Sequence, residues 1–329
     1  MTIPRDLQSE LDEFDRACDA TLNQFVQQFE AEPRPSILYH YTDDSGLRGI
    51  LESGTLWLTA VSNLNDPSEL KHGFSRAVEI IKRRSADGPP ESKKFAEQFE
   101  GFFVGGIDAV ASCFVGCFST TGNDLGQWRA YADDGRGFAL AFDTALLEDA
   151  FVKVSALSTS NKITFRVTYD DEKAERLQTK IIDAMFPLLA LSTGRQVEPP
   201  ALYDYRVDLL AATCMHCLRA AVYFKHEAYV NEAEYRFLHN ETDPKNPEPE
   251  VKFRSRPYEL VRYREFHWAA GARSALTKVI IGPAADKAKA MLFARECLRA
   301  YHRGQSVELT ASGIPYRSPP AQRGQDFRE

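Results

Sequence analysis

Apolar residues recur at intervals of three and four along the N-terminal stretch: Leu7, Leu11, Phe14, Cys18, Leu22, Phe25 and Phe29. That spacing marks one face of an amphipathic helix, which Pro33 and Pro35 end. The face has two uses open to it, packing on the chain's own domain or docking a partner or second copy; packing is favoured. From Ser36 the pattern changes. SILYHYT reads as a strand, followed by a short helix that Asp44 or Ser45 can cap and that stops near Gly54. TLWLT is a second strand, SNLNDPSE a loop, and a helix runs through EIIKRR. SADGPPESKK is a polar surface connection. VASCFVGCFST reads as a strand, QWRAYAD as helical and GRGFALAFD as another strand. Residues from about Tyr169 to Phe224 look helical, interrupted by STGRQVEPP. From Glu232 strands return in EAEYRFLH, VKFRSR, YELVRYREF and LTKVIIG, before a helix from Asp286 to about Tyr301 and a last strand, SVELTAS.

Strands and helices alternate early, but a helical block separates two strand groups. The order predicts an α+β domain over residues 36–318 with a helical insertion at about 169–224. The amphipathic helix occupies residues 1–35, and a polar tail follows at 319–329. There is no GxGxxG after a strand, no GxxxxGK[ST] and no GxSxG. Dinucleotide-fold oxidoreductases, P-loop NTPases and serine hydrolases of the usual type therefore lose support.

Composition narrows the partners. The net charge of −7 argues against a broad basic surface for duplex nucleic acid, while leaving room for a small basic groove. Six cysteines in 329 residues suggest reduced thiols and no disulfide framework. The N-terminus lacks a basic segment followed by an apolar one, and no run approaches the ~20 apolar residues of a membrane span. The expectation is a cytoplasmic protein with no membrane partner.

Four clusters carry candidate chemistry: YHYT (Tyr39 to Thr42), LNDPSE (Leu64 to Glu69), the stretch from Cys117 to Asp143, and NEAEYRF (Asn231 to Phe237). His40 alone is better explained as a satisfied structural histidine; with its motif neighbours the two readings are even. Trp128 and Tyr131, three apart on a helix, suit a core as readily as a pocket. Glu232 and Glu234 alternate onto one face of a half-buried strand, where carboxylates are costly unless used, and Glu234 is the stronger candidate. Asn65, Asp66 and Pro67 make a turn whose Asp66 and Glu69 form a capping box. Asp66, Glu69 and His72 also raise a metal-dependent nuclease, but their spacing does not bring three ligands to one point. Cys214, His216 and Cys217 resemble half a zinc site without a second half; buried thiols fit their apolar helix better. No metal is expected.

Taken in order, YHYT, NDPxE, CFS…W…YA…G and ExExR, with VIIGP and IPYR, resemble an uncharacterised bacterial domain family, a likeness that implies no activity. The same order is similar to the ADP-ribosyltransferase superfamily of the His–Tyr–Glu type. His40-Tyr41-Thr42 matches its His-x-Thr strand end, and Tyr131 the aromatic that stacks on nicotinamide. Glu234 matches the catalytic glutamate opening a late strand. Glu232 completes an ExE pair, and Phe118-Ser119-Thr120 resembles the Ser-Thr-Ser strand of the arginine-modifying branch. Tyr41 stands where many members have glycine, so its backbone would have to serve there.

The resemblance implies a split-sheet fold, NAD as substrate and transfer of ADP-ribose to a protein or nucleic acid, in a toxin or phage-defence setting. It implies catalysis by Glu234, Glu232 and His40, and NAD contacts from His40, Tyr41, Thr42, Ser119, Tyr131 and Arg236. Arg236, Lys225 and Arg48 are the candidates for the diphosphate. NAD hydrolysis, non-catalytic binding or sensing, and the metal-dependent nuclease remain as alternatives. The chemistry suits these residue types: breaking the nicotinamide–ribose bond builds an oxocarbenium-like centre that a carboxylate stabilises. An aromatic face attracts the cationic ring by about 0.5–2 kcal/mol.

Overall fold

A fork in one β-sheet organises the molecule. The computed structural model describes residues 3, 5–30, 33–64, 68–110, 113–153, 162–194, 199–240 and 251–317. Among the described residues ten strands form one mixed sheet with helices packed against it, an α+β architecture. The strands are β1 (Ile37–Thr42), β2 (Leu56–Ala60), β3 (Cys113–Ser119), β4 (Phe138–Asp143), β5 (Lys162–Arg166), β6 (Glu234–Asn240), β7 (Lys252–Arg256), β8 (Glu259–Phe266), β9 (Leu276–Ile281) and β10 (Glu308–Ala311). Their order is β10-β9-β4-β1-β3-β2-β8-β7, with β6 and then β5 branching from β3.

β3 is the branching strand. Along one edge it pairs with β6 over its full length, from Cys113↔Asn240 to Ser119↔Glu234. The other edge must therefore be shared. Tyr39 of β1 pairs with Ser119, and Thr59 and Ala60 of β2 pair with Val115 and Phe114. Between those registers, opposite Gly116 to Phe118, the end of β1 and the start of β2 diverge. Among the described strand pairs only β9 and β10 run parallel.

The helices are α1 (Arg5–Glu30), α2 (Asp44–Ser53), α3 (Ser68–Ser85), α4 (Pro90–Val110), α5 (Leu125–Tyr131), α6 (Thr144–Lys153), α7 (Asp171–Gly194), α8 (Pro199–Ala221), α9 (Trp268–Ala272) and α10 (Lys287–Tyr301). They serve two cores. One side of the sheet packs Leu47 and Leu51 of α2, Phe151 of α6, Trp268 of α9 and Ala294 of α10 against the phenylalanines of β3, β4 and β6. The other core joins α1, α3, α4, α7 and α8. The helical insertion, α7 and α8, is thus one part of a layer built from several places in the sequence.

The apolar face of α1 lies in that layer: Leu7, Leu11, Phe14, Cys18, Leu22 and Phe25 are buried against the same chain. His216 Nε2 meets Asp15 at 2.8 Å, and Arg219 donates to Asp19, fastening α8 to α1. The described part of this face is covered, which removes the surface that a partner-docking arm would use. Cys214 and Cys217 are buried on α8. All six cysteines are free.

Several local expectations are corrected. Asp43, not Asp44 or Ser45, caps α2, its Oδ1 accepting from Gly46 N at 2.6 Å; Gly54, at φ 65°, closes the helix. Pro90 to Lys94 open α4 instead of forming a surface connection. The strand expected from Val110 begins at Cys113, and the one expected from Glu232 begins at Glu234, because residues 227–232 form a 3-10 turn ending in a left-handed Ala233. Asn65, Asp66 and Pro67, the side chains of Glu69 and His72, and the 319–329 tail lie outside the described residues.

Candidate functional site

The fork opens a cleft of about 950 Å³. Its floor is one face of β3 and β6: Val115, Cys117 and Ser119 beside Glu234 and Arg236, which the antiparallel register sets opposite Ser119 and Cys117. The end of β1 forms one wall. α2 spans the fork from β1 to β2 and lines it, and Tyr131 of α5 with the segment from Lys225 to Glu232 closes another side. Residues from opposite ends of the chain meet here because two strands part at β3.

Four charged side chains dominate the floor. Arg236 grips Glu234 with two bonds, Nε to Oε1 at 2.7 Å and Nη2 to Oε2 at 3.1 Å, and donates through Nη1 to Val222 O at 2.7 Å. Lys225 Nζ donates to Glu232 Oε2 at 2.5 Å and to Glu234 Oε2 at 3.2 Å. Tyr131 Oη completes the set with a 3.0 Å bond to Glu232 Oε1. Burial pushes the Glu234 carboxyl upward, but Arg236 and Lys225 outweigh it and hold the group ionised, well below the usual carboxylate range. Glu232 is the more open of the two carboxylates, with 18% of its side chain exposed against 6% for Glu234.

Every residue anticipated for catalysis or NAD contact lines this cleft: His40, Tyr41, Thr42, Ser119, Tyr131, Glu232, Glu234 and Arg236. Their local duties differ. His40 is half-buried, with Nδ1 3.4 Å from Cys117 O and its ring inclined at 62° to that of Phe118. Burial lowers its pKa, which favours the neutral imidazole. Tyr41 turns its ring into a small core against Trp128, centroids 4.9 Å apart, and its hydroxyl donates to Thr121 O at 2.8 Å. That side chain pins the loop before α5, so any ligand contact at Tyr41 falls to its backbone. Ser119 is buried, donating to Glu232 O at 2.8 Å and accepting from Thr121 N. It fixes the backbone of Glu232. Trp128 is fully buried core.

The diphosphate candidates fare differently. Arg236 is engaged by Glu234 and Val222, and Lys225 by the two glutamates. Arg48 is exposed and pairs with Glu52 at 3.2 Å. Two cations that the sequence reading passed over, Arg254 and Arg256, line the cleft from β7, with Trp57 from β2. The signal was present as alternation: KFRSR puts both arginines on one face of a strand.

Residues 127–237 match a family described as "Protein of unknown function (DUF2971)". The DUF2971 match contains Tyr131, Lys225, Glu232, Glu234 and Arg236, hence the whole charged floor, and stops before the β7–β8 hairpin. The chain matches no curated protein and no solved structure. Among the described residues no cluster of three histidine, cysteine or acidic side chains could hold a metal ion, and no helix is long and apolar enough to cross a membrane.

Proposed function

We propose that the cleft binds NAD and breaks its nicotinamide–ribose bond, passing ADP-ribose to a macromolecular acceptor. One observation carries this reading. A half-buried histidine, a pocket-lining tyrosine and a pair of carboxylates, contributed by β1, α5 and the approach to β6, converge on one cleft at the fork of a sheet. The fork also supports an ADP-ribosyltransferase-like split sheet.

In this reading the bonding electron pair leaves with nicotinamide, whose ring charge is neutralised, and positive charge develops on the ribose. Glu232 is the carboxylate that answers it. The resemblance favoured Glu234, but that group is fully paired with Arg236, and Glu232 is the one that opens to the cleft. Glu234 becomes a positioning residue: it holds Lys225, which holds Glu232. The Tyr131 ring offers its face to nicotinamide, and neutral His40 and Thr42 offer hydrogen bonds to ribose hydroxyls.

A second reading, binding without turnover, draws on the balance of charge. Arg236 and Lys225 neutralise the two carboxylates between them, which weakens the net field on a developing cation. Nicotinamide release from NAD by the parent and by Glu232→Gln separates the two. Glu232→Gln is expected to lose about 10²–10³-fold in turnover while keeping its affinity for NAD. NAD bound with no nicotinamide released favours the second reading. No NAD binding at all overturns both.

A further inference from the structure

The charged floor holds no cation set aside for phosphate, but the opposite wall does. Arg254 lies on β7, at the end of the sheet, and faces the cleft with Arg256, Trp57 and Glu265. Its guanidinium stands over the Trp57 ring, 5.2 Å from the centroid. Its single polar contact is a long one, Nη2 to Thr59 Oγ1 at 3.4 Å, and its Nε is buried without a hydrogen-bond partner among the described residues. The neighbouring cations are occupied: Lys252 pairs with Glu265 at 2.8 Å, and Arg256 donates to Asn63 O at 3.1 Å with Glu259 at 3.8 Å. Among the described residues no carboxylate forms an ion pair with Arg254; Glu259, which pairs with Arg256, attracts it only at longer range.

We propose that Arg254, with Arg256 and the partly exposed Trp57, forms the phosphate-binding end of the cleft and holds the diphosphate of a nucleotide whose other end reaches Glu232. A partly buried guanidinium without a counter-charge is unfavourable in the empty protein and gains most from an anion. Burial, and then the second arginine, lower the pKa of Arg254, and the attraction of Tyr263 and Glu259 does not offset them. Trp57 is 46% exposed and lies tilted on Tyr263, with centroids 4.5 Å apart. It is a partly exposed ring held between a tyrosine and a cation, which suits a base next to a phosphate. The cleft's volume is within the usual range of small-molecule and cofactor sites. Carboxylates at one end and arginines at the other match a molecule with a cationic ring and an anionic diphosphate. The anion site follows from the wall itself; its assignment to NAD rests on the reading above.

Trp57 makes the test direct, because the other two tryptophans, Trp128 and Trp268, are fully buried. ADP and inorganic pyrophosphate are titrated against tryptophan emission and by calorimetry, using the parent, Arg254→Gln and Arg254→Lys, each checked for an unchanged melting temperature. Both ligands are expected to bind the parent, and Arg254→Gln should weaken ADP by roughly 10-fold or more, the loss of one charge-assisted bond. Arg254→Lys should retain part of the affinity. Arg254-dependent ADP binding without nicotinamide release from NAD leaves the phosphate site standing and removes the NAD-cleaving reading. Nicotinamide release with ADP binding indifferent to both Arg254 variants overturns the phosphate site alone. A single-stranded oligonucleotide that binds through Arg254 while ADP does not would also overturn it, in favour of a nucleic-acid groove.

Discussion

Opposite walls of one cleft treat their charges in contrary ways. On the floor each carboxylate meets a cation: Glu234 is gripped by Arg236, and Lys225 bridges both glutamates. Along β7, Arg254 rests over an indole with no ion pair among the described residues. The floor is closed on itself and fixes shape. The far wall is incomplete until something anionic arrives. Proximity to a pocket therefore does not rank residues by function; what distinguishes them is whether their bonding capacity is already used.

The largest effect expected from this contrast is on stability. Arg236→Leu leaves Glu234 buried with Lys225 as its remaining cation, and breaking such a pair should lower unfolding free energy by about 3–5 kcal/mol. Arg254→Gln removes an uncompensated charge and should leave stability within about 0.5 kcal/mol of the parent, or raise it. Denaturant unfolding of both measures the difference, and similar losses in the two would erase the distinction. Acid sharpens it. Because the folded pKa of Glu234 lies below its ordinary 4.5, its contribution is complete above 4.5 and is lost as pH falls from there toward about 2. His40 acts earlier: its folded pKa lies below 6.5, so the unfolded chain binds the proton more readily and stability declines as pH drops below 6.5. Glu234→Gln should remove the lower segment of that acid profile and leave the upper one.

Next in size is the separation of the two glutamates. Glu232→Gln should keep the fold and lose turnover by about 10²–10³-fold. Glu234→Gln should lose stability first, because it loosens both Arg236 and Lys225. Calorimetric melting beside nicotinamide release distinguishes them. Equal melting temperatures with equal activity losses would place both carboxylates in the reaction and end the division between them.

Much of this was legible in the sequence because period survives without tertiary context. The helical face of α1 and the strands β1 and β4 were readable, and the motifs that meet at the fork were named from their residues. What escaped was decided by partners. The glutamates were expected on one strand face, yet a left-handed Ala233 ends a 3-10 turn between them and Lys225 reunites them. Arg236 looked like a phosphate ligand because two-residue spacing on a strand does not announce a bidentate pair. α4, α6 and β5 went unassigned; FEGFFVGG in α4 mixes phenylalanine with glycine and carries no clear period, and β5 is only five residues long. The value of KFRSR depended on knowing that its edge strand faces a cleft.

The framework of the rim gives a smaller effect. A Cβ added at Gly46 would come within 1.8 Å of Thr42 Oγ1, so the first turn of α2 fits against the end of β1 only without a side chain. Gly46→Ala should cost about 1–3 kcal/mol through overpacking. Adding Thr42→Ala removes the obstructing hydroxyl and should restore most of that loss, a coupling that a double-mutant cycle reads directly. Additive losses would mean that the helix simply shifts, and that the rim is softer than the floor by more than its bonding suggests.

Tyr131 gives the smallest expected change and the finest test, because it belongs to both sides of the contrast. Its hydroxyl is part of the closed network, donating to Glu232, while its ring lines the open cleft. Burial and then the nearby Glu232 charge raise its pKa, so the phenol keeps its proton and remains a donor at neutral pH. Tyr131→Phe removes that single bond and should lower stability by no more than about 1.5 kcal/mol. NAD affinity should hardly change, because the ring that would stack on nicotinamide is still present. Tyr131→Ala removes the ring as well and should weaken NAD by a further 0.5–2 kcal/mol or about that. The two are compared by NAD titration, with unfolding measured alongside. If Tyr131→Phe weakens NAD as much as Tyr131→Ala, the hydroxyl is what the ligand requires, and Tyr131 belongs with the floor.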